Sequence, residues 1–201
     1  ETVLRNEYAG TDSSLSFTTK VVDSGAAALT AESTEKVLGL MEALPYGVQR
    51  MSADIEGLVE TSVNLGITEL SAETFTLKYS VRSSVATAFR AVVDKIEFVA
   101  SCFGASSAVH SEYPAWEYVR ESAFRDEAAA IYRELFGKEL SVQAIHAGLE
   151  CGILSGKIKN LDAVSIGPDM KDIHTPEERL NIPSTKRVYD FVVKIIEHKS
   201  K

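Results

Sequence analysis

The most constraining feature of this chain is a change of hydrophobic period at residue 83. Over residues 74–82, "TFTLKYSVR", Phe75, Leu77, Tyr79 and Val81 fall on one side and Thr74, Thr76, Lys78, Ser80 and Arg82 on the other. That period of two belongs to a strand with one covered face. Val85, Phe89, Val92, Val93, Ile96 and Val99 then repeat at helical spacing up to Phe103. Ser83 or Ser84 is the expected cap and Gly104 the expected stop. A strand running straight into an amphipathic helix predicts a sheet covered by helices on one face, an α+β layer pair.

Further elements follow upstream. Residues 57–67 read as a strand, and so do residues 15–22, where Leu15, Phe17 and Val21 share a face. Residues 33–44 read as a helix with Ser33 as cap, Val37, Leu38, Leu40, Met41 and Leu44 inward, and Pro45 as terminator. "YGVQR" reads as a connector. Residues 104–115, "GASSAVHSEYPA", are small, polar and interrupted by proline, the composition of a domain boundary. Beyond it the pattern alternates. A helix is expected over about 117–136 closed by Gly137, then strands in "LSVQAIHAG" and "LDAVSIG". A last helix is expected after Ser184, with Val188, Phe191, Val192, Ile195 and Ile196 inward. This second block reads as part of a larger α/β sheet.

Bulk properties remove some functions. The 201 residues carry a net charge of −8 and show no basic stripe, which excludes a nucleic-acid binder. The two cysteines, Cys102 and Cys151, make no disulfide framework, so a reducing compartment is expected. No apolar run reaches membrane-span length and no signal-peptide pattern is present. The chain starts at Glu1 without a methionine, and on this reading it is trimmed or excised from something longer.

Three stretches carry candidate chemistry. "IHAGLECG", residues 145–152, brings His146, Glu150 and Cys151 together, but their spacing matches no common metal motif. A cysteine nucleophile there needs a base from elsewhere in space, and a plain strand-to-turn junction is the alternative. In "GPDMKDIHTPEERL", Thr175, Pro176 and Glu178 spell a capping box at a helix start. His174, just before it, suits a metal ligand, a proton shuttle or a structural histidine. Arg82, ending the alternating strand on its polar face, suits a two-pronged grip on a carboxylate or an ordinary surface ion pair.

Taken together, "IHAGLECG", "VSIGP" and "HTPEERLNI", in that order and spacing, resemble the aminoacylhistidine dipeptidases. These are also called Xaa-His or β-alanyl-histidine dipeptidases, a family of two-zinc peptidases. "GVQRMSADIEGLVETSVNLGI" and the "SVRSS" strand end resemble that family's lid, and "EYPAW" the return to its catalytic domain. The resemblance covers residues 45–198, with residues 1–44 fitting the lid by position alone.

It implies a fragment of a two-domain zinc peptidase. Residues 1–109 are then part of an α+β lid that dimerises, and residues 110–201 the C-terminal part of a three-layer α/β/α catalytic domain. It implies His174 as a zinc ligand, and Arg82, Gly148 and Glu150 as substrate-binding residues, with His146 and Cys151 as structural supports. It further implies two zinc ions per full-length subunit, a dipeptide substrate, a homodimer formed through the lid and a cytoplasmic setting, with neither nucleic acid nor membrane as partner. The family's histidine–x–aspartate motif and its catalytic glutamate pair have no counterpart here. None of the four histidines is followed two residues later by aspartate, and the pair Glu177-Glu178 belongs to the "HTPEER" turn. The fragment alone is therefore expected to be inactive. The alternatives are a related two-zinc aminopeptidase or deacylase, or a non-catalytic dimerisation module.

Overall fold

The computed structural model describes residues 2–21, 28–112, 114–146 and 148–200. The chain divides into two units, residues 1–35 and 36–201. In the first unit, helix α1 covers Thr2–Glu7 and helix α2, Ala31–Ala43, begins. Thr30 caps α2, its Oγ1 accepting from the Ser33 N–H at 3.2 Å, so the cap lies three residues ahead of the expected Ser33. The strand expected over 15–22 does not form across residues 15–21, and Val22 lies outside the described residues. Val21 is 98% exposed, so the alternation there has no surface to cover.

The second unit opens with the rest of α2. Leu40 and Leu44 are buried, whereas Leu38 and Met41, expected inward, face solvent. Gly39 sits against the Phe103 ring so closely that a β-carbon would lie 2.5 Å from it. Three antiparallel strands follow in the order β1 (Gly47–Met51), β2 (Val59–Leu70) and β3 (Phe75–Ser83). "YGVQR" is thus largely a strand rather than a connector. Its edge position and broken register against β2, between Val48 and Met51, leave little alternation to read. The β2–β3 register is also interrupted between Leu65 and Ile67, where Gly66 forms a bulge.

Helix α3, Ala86–Cys102, packs against β3 as the periodicity requires, burying Val93 and Ala100. Ser83 serves its start: its hydroxyl accepts from Val85 N–H at 3.1 Å. It also sits 2.8 Å from the Thr61 hydroxyl, tying the strand ends to the helix. Gly104 ends the helix with φ +73°, a value that glycine tolerates best.

Helix α4 covers Ala123–Phe136, starting six residues later than the sequence pattern suggests. Ser122 is the reason. Its hydroxyl accepts from Arg125 N–H at 3.0 Å and donates to Asp162 at 2.5 Å, while Asp162 also accepts from Phe124 N–H at 2.9 Å. The Ser122 hydroxyl, then the Phe124 amide, hold the Asp162 carboxyl below its ordinary value. A cap of this strength fixes the helix start regardless of the helix-forming residues ahead of it.

Helix α5 covers Glu150–Lys157, a short hairpin pairs β4 (Met170–Lys171) with β5 (Arg179–Leu180), and α6 covers Ile182–Lys199. The core of this part lies between α4 and α6, where Ala128, Ile131, Phe191 and Ile195 are buried and Phe124, Tyr132, Phe136 and Leu140 pack around them. Ile196, expected inward, is exposed.

Two expectations fail here for one reason. "LSVQAIHAG" and "LDAVSIG" are not strands, Ala147 of the former lying outside the described residues. Their apolar residues suit strands covered on both faces, but a strand exists only through its ladder partners, and the described residues provide none. Val142 and Ile145 are consequently more than half exposed. The architecture as a whole is mixed helix and strand, the α+β class the sequence predicts.

Candidate functional site

A cleft of about 1670 Å³ is lined by residues of β3, α3 and the segments 140–146, 148–149 and 161–169. Strand β3 supplies Arg82 from its polar face. Ser62 is the direct partner of Arg82 across the β2–β3 ladder, so both side chains stand on the same face. The loop after Leu140 supplies His146 and Gly148, which line the cleft with Arg82. His146 Nε2 lies 2.6 Å from Ser62 Oγ, joining residues 84 apart in sequence. Burial first, and the Arg82 guanidinium second, hold the His146 imidazole below its ordinary value of 6.5.

Gly152, the last residue of the motif, and Gly156, one turn further along α5, have a clear physical task. Helix α5 lies against Pro114 and Trp116. A β-carbon on Gly152 would stand 2.8 Å from the Pro114 carbonyl oxygen, and one on Gly156 would stand 2.6 Å from the Pro114 ring. These glycines let the helix approach the return segment closely, which places its N-terminal loop at the cleft wall. Glu150 opens α5, exposed, where a carboxylate favours a helix N-terminus. It is not among the residues lining the cleft. Cys151 is a free, half-buried thiol in the first turn of the same helix.

His174 lies away from this group, on the exposed loop of the β4–β5 hairpin. The capping-box residues do not start a helix there. Thr175 donates from its hydroxyl to the Asp172 carbonyl at 2.7 Å, Glu178 accepts from the His174 N–H at 2.9 Å, and Arg179 pairs with Asp172. These bonds hold His174 at φ +66° and Asp172 at φ +54°, left-handed conformations that need support from neighbours. The helix begins later, at Asn181, whose side chain accepts from Ser184 N–H at 3.1 Å. Ser184, buried, donates from its hydroxyl to the Asn181 carbonyl at 2.6 Å and accepts from Asp169 N–H at 2.8 Å, fixing the hairpin base to α6.

No family model matches the chain. Cytosol non-specific dipeptidase of Escherichia coli (strain K12) is 30% identical over 195 residues, 97% of this chain and 40% of that protein. The crystal structure of aminoacylhistidine dipeptidase from Vibrio alginolyticus superposes with a TM-score of 0.85 at 28% identity, over 98% of this chain and 40% of that one. The chain resembles these dipeptidases along almost all of its length. It spans 40% of the length of each. The dipeptidase resemblance thus rests on the whole chain, residues 1–44 included, and not on the "IHAGLECG" and "HTPEER" motifs alone.

The structure brings Arg82 and Gly148 to one cleft, places Glu150 beside it, and leaves His174 on a separate loop. Ser62 was not legible as a member of this group. The signal was present in the turn at 71–74 and the glycine bulge at 66, which together set the ladder register that puts Ser62 opposite Arg82.

Proposed function

We propose that this chain is the substrate-gripping part of a cytoplasmic dipeptidase of the Xaa-His type. The observation that carries the reading is the convergence of Arg82 and Gly148 on one cleft in a chain that resembles dipeptidases throughout. In this reading residues 1–109 are lid and residues 110–201 are part of the catalytic domain. Arg82 holds the carboxylate end of the dipeptide through two parallel N–H···O bonds. The backbone at Gly148 lies along the substrate, and Glu150 stands near the mouth of the site. A broader dipeptide range is the second reading, favoured by the non-specific dipeptidase among the relatives. Rates on β-alanyl-histidine against alanyl-alanine, for a protein of the relatives' full length, separate the two.

The zinc implied for this family does not fit the donors described. No group of three histidine, cysteine, aspartate or glutamate side chains gathers among the described residues. His174 is exposed, Glu178 is engaged by the His174 amide, and Asp172 is paired with Arg179. Two-metal sites hold their ions about 3.5–4 Å apart with several ligands each, and one imidazole cannot do this. His174 is proposed as a zinc ligand only in company with residues outside this chain. The 201-residue chain is expected to hydrolyse no dipeptide and to bind zinc no more tightly than a lone surface histidine. Calorimetric titration with zinc checks this, and a sub-micromolar site would overturn it.

We further propose that the lid portion carries a homodimer contact. Leu70 at the end of β2 and Phe98 on α3 are exposed apolar side chains that such a contact would cover. Sedimentation equilibrium is expected to show a dimer. A strict monomer across the accessible concentrations would remove the proposal.

A further inference from the structure

The proposed grip of Arg82 on a carboxylate leaves His146 without a role, yet His146 is the side chain most tightly tied into that face. Its Nε2 meets Ser62 Oγ at 2.6 Å, and Ser62 stands directly across the ladder from Arg82. The imidazole, half-buried, lines the same cleft as Arg82 and Gly148. We propose that His146, seated by Ser62 beside Arg82, is a second member of the subsite for a substrate carboxylate, and that it takes up a proton when that carboxylate binds. This inference rests on the reading of Arg82 given above.

The electrostatics give the direction. Burial first, and the Arg82 charge second, disfavour the imidazolium. Arg82, on β3, is the charged group acting on the ring among the described residues; Ser62, on β2, is its neutral partner. A carboxylate laid against Arg82 offsets the guanidinium charge and adds an anion near the ring, which favours the cation. The proton comes from solvent and no covalent bond to the ligand changes. The Ser62 hydroxyl can donate to a neutral ring nitrogen or accept from a protonated one, so the seat of the ring survives both states.

The sign of the pH effect follows. The value of His146 is lower in the free cleft than in the occupied one. Affinity for a carboxylate therefore rises as pH falls through the interval between the two values, and is flat above it. The ligand carboxylate titrates near pH 3.5, well below this range.

The test is an NMR titration of the full 201-residue chain, following the His146 ring and the Arg82 Nε–H. The probe is N-acetyl-L-alanine, which has a carboxylate but no titrating amine, and its control is N-acetyl-L-alaninamide. The expected result is a His146 midpoint below 6.5 without probe that moves upward with the acid and stays put with the amide. On going from about pH 7.5 to about pH 5.5 the acid should bind roughly 3- to 10-fold more tightly. His146→Gln should bind the acid with no pH dependence, and Ser62→Ala should weaken the coupling. If Arg82 responds to the acid while the His146 midpoint does not move, this inference is overturned and the Arg82 reading stands. If neither group responds, both fall. Should His146→Gln fail to fold, the wild-type titration decides by itself.

Discussion

Replacing Arg82 with glutamine should lower kcat/KM toward dipeptides by roughly 100-fold in a protein of the relatives' full length, with most of the loss in KM. Hydrogen bonds to a charged partner contribute about 1.5–3 kcal/mol, and about 1.4 kcal/mol corresponds to a factor of ten. Two parallel bonds to one charged partner place the loss at the upper end of that range. Glutamine keeps a planar donor but no charge and only one prong, so it isolates the guanidinium contribution. Lysine should recover part of the activity, because it restores charge without the fork. The decisive comparison is between a dipeptide and its C-terminal amide. If Arg82 holds the carboxylate, the amide is already a poor substrate and the substitution changes it little. An equal loss on both substrates would mean that Arg82 supports the sheet rather than the ligand, and the proposed grip would have to be abandoned.

How much of this site the sequence discloses depends on the range of the interaction. Helix α3 was legible to within a residue or two because its stripe, its entry and its glycine stop lie within one stretch of chain. Arg82 was legible for a similar reason: the alternation in β3 assigns it to the polar face without reference to any other segment. The start of α4 was not, because the pair that fixes it, Ser122 and Asp162, is separated by 40 residues. The capping box at 175–178 misled for the opposite reason. Its local bonds do form, yet they close a hairpin loop, since Thr175 and Glu178 satisfy backbone groups in either setting. Segments 140–146 and 161–167 carry the composition of buried strands without the neighbours that make a strand, so pattern and structure part company there. The bond between Ser62 and His146 could be found only by fixing the ladder register and then folding the distant loop onto it.

The largest effect on stability should come from Phe191→Ala, at about 3–5 kcal/mol, the range for emptying a buried aromatic site. Phe191 is 3% exposed at the centre of the α4–α6 contact, with Tyr132 edge-on at 5.2 Å and Ala128 and Ile131 beside it. The ring cannot be replaced by collapse, because Ala128 is already the smallest side chain on the facing helix and α4 is fixed at its start by the Ser122–Asp162 cap. Ile196→Ala on the same helix is the control, since Ile196 is 59% exposed and such positions change stability by about 0.5 kcal/mol or less. Urea unfolding followed by circular dichroism measures both. A loss under about 1 kcal/mol for Phe191→Ala would show that the α4–α6 contact is not the core of this part of the chain. The effect should reach the hairpin as well. Ser184, in the first turn of α6, holds the Asp169 amide, and Asp169 accepts from Asn181 N–H at 3.0 Å. Loosening α6 therefore releases the base of the loop that carries His174, and its ring resonances should lose their dispersion in the same urea range as the helix signal.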